Sequence, residues 1–135
     1  MWRYWAPFDD DVASALGTLR EEVFRSGAYY RVNPGDPPPG SIGQALELNG
    51  ESGTHSILDV FSVSPYPQLG TVAPVSPDES TRLFGTDRPT REQVEANVSA
   101  SDALSASRGP WSGSYLVTFE EGTPHELFFF GISGD

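Results

Sequence analysis

Near its end the chain places four apolar residues in a row, Leu127-Phe128-Phe129-Phe130, and an extended strand has no wet side on which to leave any of them. Successive side chains of a strand point to opposite faces, so this run describes a strand buried on both sides or one that lies in an interface between chains. The second possibility makes the C-terminal strand a route to a homo-oligomer. Just upstream, Tyr115, Val117 and Phe119 alternate with Leu116, Thr118 and Glu120, and Glu121-Gly122-Thr123-Pro124 intervenes. Two strand-like runs joined by a short glycine-containing connection predict a β-hairpin.

Residues 2–6 also alternate, with Trp2 and Tyr4 on one side and Arg3 and Trp5 on the other, until Pro7 ends the strand. Asp9 or Asp10 then caps a helix that runs to about Ser26, its first turn acidic as the helix dipole prefers. Val12, Leu16, Leu19 and Val23 form its buried stripe and Gly27 its stop. Residues 29–32 read as a short strand, and the proline-rich stretch 33–40 as a surface loop. Ser41 and Gln44 have capping-box spacing ahead of a helix over 42–48, and β-branched and apolar residues make 56–63 a strand. Residues 71–73 pair briefly, and Ser76-Pro77-Asp78-Glu79 starts a short helix that stops at Gly85. Thr90 and Gln93 open another, to about Asn97, and the small polar residues 99–113 read as loop. The expected architecture is one α+β domain over residues 1–135. It has an antiparallel or mixed sheet with a C-terminal β-hairpin, packed against one main N-terminal helix plus two or three short helices.

A chain of 135 residues can bury a sizeable core without staples. Its hydrophobic fraction is only 37%, yet 8 Phe, 5 Tyr and 3 Trp supply large apolar surfaces. There is no cysteine, which removes disulfides, thiolate nucleophiles and cysteine-based metal sites. All eight basic residues are arginine, and without lysine there is no Schiff-base or P-loop chemistry. The net charge of −11 is spread over both halves, and no basic patch is present to neutralise phosphate, so nucleic acid and anionic membrane are excluded as partners. A basic protein would be attracted. The opening residues lack a signal-peptide h-region and no run of 18 apolar residues occurs, which points to the cytoplasm.

Catalytic candidates are few. His55 and Asp59 fall on the expected 56–63 strand and its threshold, where four residues span about 13 Å, too far to share a proton or a metal. His125-Glu126 begins like a zinc-protease motif, but Phe129 stands where the second histidine belongs. Asp9-Asp10-Asp11 is explained by helix capping and lacks the alternating spacing of a calcium loop, so no metal is expected. No cofactor-binding loop is present, and none is expected to be needed. At Arg88-Pro89-Thr90-Arg91 a helix start meets a hydroxyl and two guanidinium groups, a candidate site for a phosphate or carboxylate. Local pairing with Asp87, Glu92 or Glu95 is the plainer use of those arginines.

The segments Gly53-Thr54-His55-Ser56-Ile57-Leu58-Asp59 and Gly85-Thr86-Asp87-Arg88-Pro89-Thr90-Arg91-Glu92, with Tyr4-Trp5-Ala6-Pro7-Phe8 and the helix after it, resemble a family of small acidic bacterial proteins of unassigned function. The resemblance implies an intact bacterial domain and carries over no active-site residue.

Two functions fit. One is a non-enzymatic interaction protein, an immunity- or antitoxin-like inhibitor of a basic partner, with Trp2, Trp5, Tyr66 and Trp111 as contact candidates among the acids. The alternative is a small enzyme or small-molecule binder with a pocket around His55, Asp59 and Arg88, lined also by Tyr29 and Tyr30.

Overall fold

The computed structural model describes residues 1–134. Five strands form one mixed sheet in the order β1-β5-β4-β3-β2, with β1 Trp2–Pro7, β2 Ser62–Val63, β3 Thr71–Pro74, β4 Ser112–Glu120 and β5 Thr123–Ile132. β5 runs antiparallel to β1 and to β4, whereas β2, β3 and β4 are parallel neighbours. Only β5 is reversed.

This order dictates where the helices go. β1 and β2 occupy opposite edges, so the chain between them must cross one whole face of the sheet. That crossing contains α1 (Val12–Ser26) and α2 (Ile42–Asn49), and α1 buries Leu16, Leu19 and Val23 against Trp2, Val72, Leu127 and Phe129. The connection from β3 to β4 covers the other face with α3 (Pro77–Phe84), α4 (Arg91–Glu95) and α5 (Val98–Arg108). There Val94 and Leu104 meet Leu116, Phe128 and Phe130. Alternate residues of β5 therefore feed two separate cores, and all four of its run are at most 2% exposed.

The hairpin is tighter than its sequence suggested. Glu120 pairs with Thr123, and the two loop residues Glu121 and Gly122 have φ of 52° and 78°. Positive φ at both positions marks a two-residue turn whose twist matches the flanking strands. The ladder shifts between Thr118 and Phe119, leaving His125 as the extra residue of a bulge.

Helix boundaries follow the caps. Ser76 and Glu79 close a reciprocal capping box, as do Thr90 and Gln93. At α2 the Ser41 hydroxyl accepts from Gln44 N–H, but the Gln44 side chain reaches Gly40 N–H instead of Ser41. The first helix is capped by Asp11, one or two residues later than expected, and its first turn holds no acid. Asp9 accepts from Asp11 N–H outside the helix.

Three segments take a different form from the one expected. Residues 29–32 form no strand: the Asn49 side chain accepts from Val32 N–H and donates to Tyr30 C=O, standing in for a neighbouring strand. Of 56–63 only Ser62–Val63 is strand, because the Ser56 hydroxyl takes Leu58 N–H and starts a 3-10 turn over Ile57–Asp59. Most of 99–113 is α5 and the start of β4, not loop. In α5 the buried residues Ser101, Leu104 and Ser105 are spaced to share one helix face, and small side chains let that face approach the sheet closely. The Ser101 hydroxyl bonds back to Val98 C=O, so its burial leaves nothing unsatisfied. Ser101→Leu is accordingly expected to destabilise by about 1–3 kcal/mol through overpacking, read as a lower urea midpoint at unchanged slope. An unaltered midpoint would mean the helix has room to spare.

Candidate functional site

Two polar assemblies stand out, at opposite ends of β4. The first surrounds Asp59, which is 0% exposed. Its Oδ1 accepts from the Thr54 N–H and the Thr54 hydroxyl, both at 2.8 Å, and its Oδ2 accepts from the Ser133 hydroxyl at 2.6 Å. Thr54 and Ser56 share a further hydroxyl contact at 2.6 Å. The Tyr4 phenol joins this network and is held above its ordinary pKa, first by burial and, more weakly, by the Asp59 charge, against the lowering effect of bonds to Ile57 and Ser56. Gly53 leads in with φ 70°, and a Cβ there would lie 2.8 Å from the Asp59 carboxylate and 2.9 Å from the Trp111 ring. The segment 53–59 therefore folds inward around its own carboxylate and is tied to the residue after β5. His55 turns outward from it with φ 53°, exposed, its ring stacked on Tyr30 at 4.6 Å.

The second assembly is an open groove of about 320 Å³ between α4 and the hairpin end. Five glutamates line it: Glu92 and Glu95 from α4, Glu120 and Glu121 from the turn, and Glu126 from β5. Arg91 crosses one wall. Its guanidinium bonds Glu95 and Glu126, at 2.8 Å to the latter, and lies 4.3 Å from the centroid of the Trp5 ring. The Glu95 bond, chiefly, raises the Arg91 pKa. His125 Nε2 sits 3.2 Å from Glu120. Among the described residues, Glu92 and Glu121 make no ion pair, so their charge is left to the groove.

The residues expected to act are scattered between these places. His55 and Asp59 are four apart in sequence, but the first is exposed and the second enclosed. Arg88 stacks over Phe119 near the far end of β4, whereas Asp59 is anchored to Ser133, beside the pair Ile132–Ser112 at the near end. Seven residues of strand separate those ends by about 23 Å, so His55, Asp59 and Arg88 do not share a pocket. Thr90 spends its hydroxyl on Gln93 N–H. Of the aromatic contact candidates, Trp2 is in the core at 4% exposed, and Trp5 is half-buried between Phe128 and Arg91. Trp111 covers Gly53, and only Tyr66, at 61%, is largely exposed. β5 is paired on both sides, so the C-terminal strand has no free edge for another chain.

The groove was missed because its glutamates come from two stretches, 92–95 and 120–126, that lie 25 residues apart. The usable signal was Glu120-Glu121 at a hairpin turn facing His125-Glu126. Among the described residues no cluster of His, Asp and Glu is arranged to hold a metal ion, and no helix is long and apolar enough to cross a membrane. Comparison with protein-family models, with curated proteins and with solved structures returns no match.

Proposed function

We propose that the protein is a non-enzymatic interaction domain whose acidic groove receives a cationic segment of a protein partner, in the manner of an immunity- or antitoxin-type inhibitor. The observation that carries this reading is the convergence of five glutamates on one open groove with a single arginine among them. Such a surface speeds encounter with a basic partner and repels acidic ones. Phe119, the aromatic residue in the lining, adds apolar surface against which the stem of a basic side chain can lie. A bacterial cytoplasmic setting belongs to the same proposal.

The test must separate the groove from general acidity. Binding of a labelled nona-arginine peptide is measured by fluorescence anisotropy for two charge-matched triple variants. In one, Glu92, Glu120 and Glu121 become Gln; in the other, the exposed Glu21, Glu22 and Glu47 of α1 and α2 do. The groove variant is expected to bind at least about tenfold more weakly than the helix variant, the equivalent of 1.4 kcal/mol. Equal losses would reduce the effect to net charge and remove the groove from the proposal.

A further inference from the structure

β1 forms one border of the sheet, and its outer side has no strand beside it. The direction of its backbone groups is fixed by hydrogen bonds on both sides of β5. Phe8 N–H donates to His125 C=O at 3.1 Å, and the register sets Ala6, Tyr4 and Trp2 opposite Leu127, Phe129 and Gly131. Hydrogen-bonded pairs recur at every second residue of an antiparallel ladder. Trp2, Tyr4 and Ala6 therefore face β5, while Arg3, Trp5 and Pro7 turn their backbone groups outward. The β4 side agrees: Val75 N–H reaches Tyr115 C=O, so Tyr115 faces β3, its neighbours bond Phe128 and Phe130, and Phe129 is left for Tyr4. Among the described residues nothing bonds the outward groups of Arg3 and Trp5.

We propose that this edge is a self-complementary dimer contact, in which a second copy adds its own β1 antiparallel about a two-fold axis through Tyr4. That axis sets Arg3 opposite Trp5 of the second copy and Trp5 opposite its Arg3. Each couple exchanges both N–H···O=C bonds, which uses every outward group of the two residues. Other centres do worse. An axis at Trp5 puts Arg3 opposite Pro7, which has no N–H to give, and an axis at Arg3 puts two like charges face to face. With the axis at Tyr4, the two Tyr4 rings meet on the face that α1 covers, a favourable aromatic cross-strand pair. Trp2–Pro7 carries no acid, and its one charged side chain, Arg3, is neutralised by an ion pair with Asp102, so the strand adds little to the repulsion of a net charge of −11. Two-fold contacts of one patch with itself are the commonest oligomer symmetry. A six-residue edge is short, and association is weak and set by concentration.

Sedimentation equilibrium from about 10 µM to about 1 mM, in about 50 and 500 mM salt, tests this. The parent chain is expected to pass from monomer to dimer, and to do so at lower concentration in high salt, which screens the mutual repulsion. Arg3→Pro removes an outward donor without touching the β5 ladder, and should be monomeric throughout. Arg3→Ala keeps the donor and should dimerise like the parent. A parent that stays monomeric over the whole range, or a dimer that survives Arg3→Pro, overturns the proposal. Should Arg3→Pro not fold, hydrogen exchange on the parent decides. The Arg3 and Trp5 amides must exchange more slowly at high concentration, and equal rates overturn it.

Discussion

Asp59→Ala is expected to lower the thermal midpoint by about 10 °C, from a loss of about 3–5 kcal/mol. The carboxylate is wholly enclosed and accepts three hydrogen bonds. Alanine would leave three donors without their acceptor, at about 1–3 kcal/mol for each that finds no other. The Thr54 hydroxyl has a second partner in Ser56, and the Ser133 hydroxyl can rotate. The Thr54 N–H cannot move without carrying the segment 53–59 with it, and that segment holds Ile57 and Leu58, both 0% exposed. Asp59→Asn should fall between parent and alanine, since it keeps one acceptor oxygen and sets an NH2 where a donor already points. Thermal and urea melts of the three proteins give the order. An Asp59→Ala variant within about 0.5 kcal/mol of the parent would show that the network contributes nothing beyond an ordinary surface site.

That carboxylate also shows where the sequence was opaque. Reading 56–63 as a strand followed from Ile57, Val60 and Val63, which are good strand formers. Propensity lost to a local competitor, the Ser56 hydroxyl taking Leu58 N–H, and to a distant one, Ser133 seventy-four residues away bonding Asp59. Neither is visible without the fold. The missed α5 has a different cause. Four serines and three alanines in eleven residues hide a buried stripe in which Leu104 is the only large apolar member. Spacing, not hydrophobicity, was the available sign. Elements with reciprocal chemistry were legible, because Ser76 with Glu79 and Thr90 with Gln93 act within a single turn. The candidate groove lay at the other extreme. It depends on α4 docking beside a hairpin end, so the meaning of Glu92 and Glu121 arises only after both cores have formed.

The largest loss of all should come from the phenylalanine run. Phe128 faces Trp5, Phe130, Val94 and Leu104 on one side of the sheet, and Phe129 faces Trp2, Leu16, Leu127 and Val72 on the other. Both are at most 2% exposed. Truncating either to alanine removes a buried ring and leaves a cavity, at a cost of about 3–5 kcal/mol. Phe129→Leu, which keeps most of the volume, should cost much less. The double variant Phe128→Ala with Phe129→Ala opens both cores at once. Its summed cost of about 6–10 kcal/mol matches or exceeds the whole stability of many domains. It is expected to lose its near-ultraviolet circular dichroism and its cooperative melt, while each single variant keeps both. A strand whose phenylalanines served an interface would behave otherwise. Its alanine variants would fold as well as the parent at low concentration and differ only in association. Melting curves of the two single variants, recorded over a hundredfold range of protein concentration, separate these cases: losses that do not vary with concentration belong to the two cores within one chain.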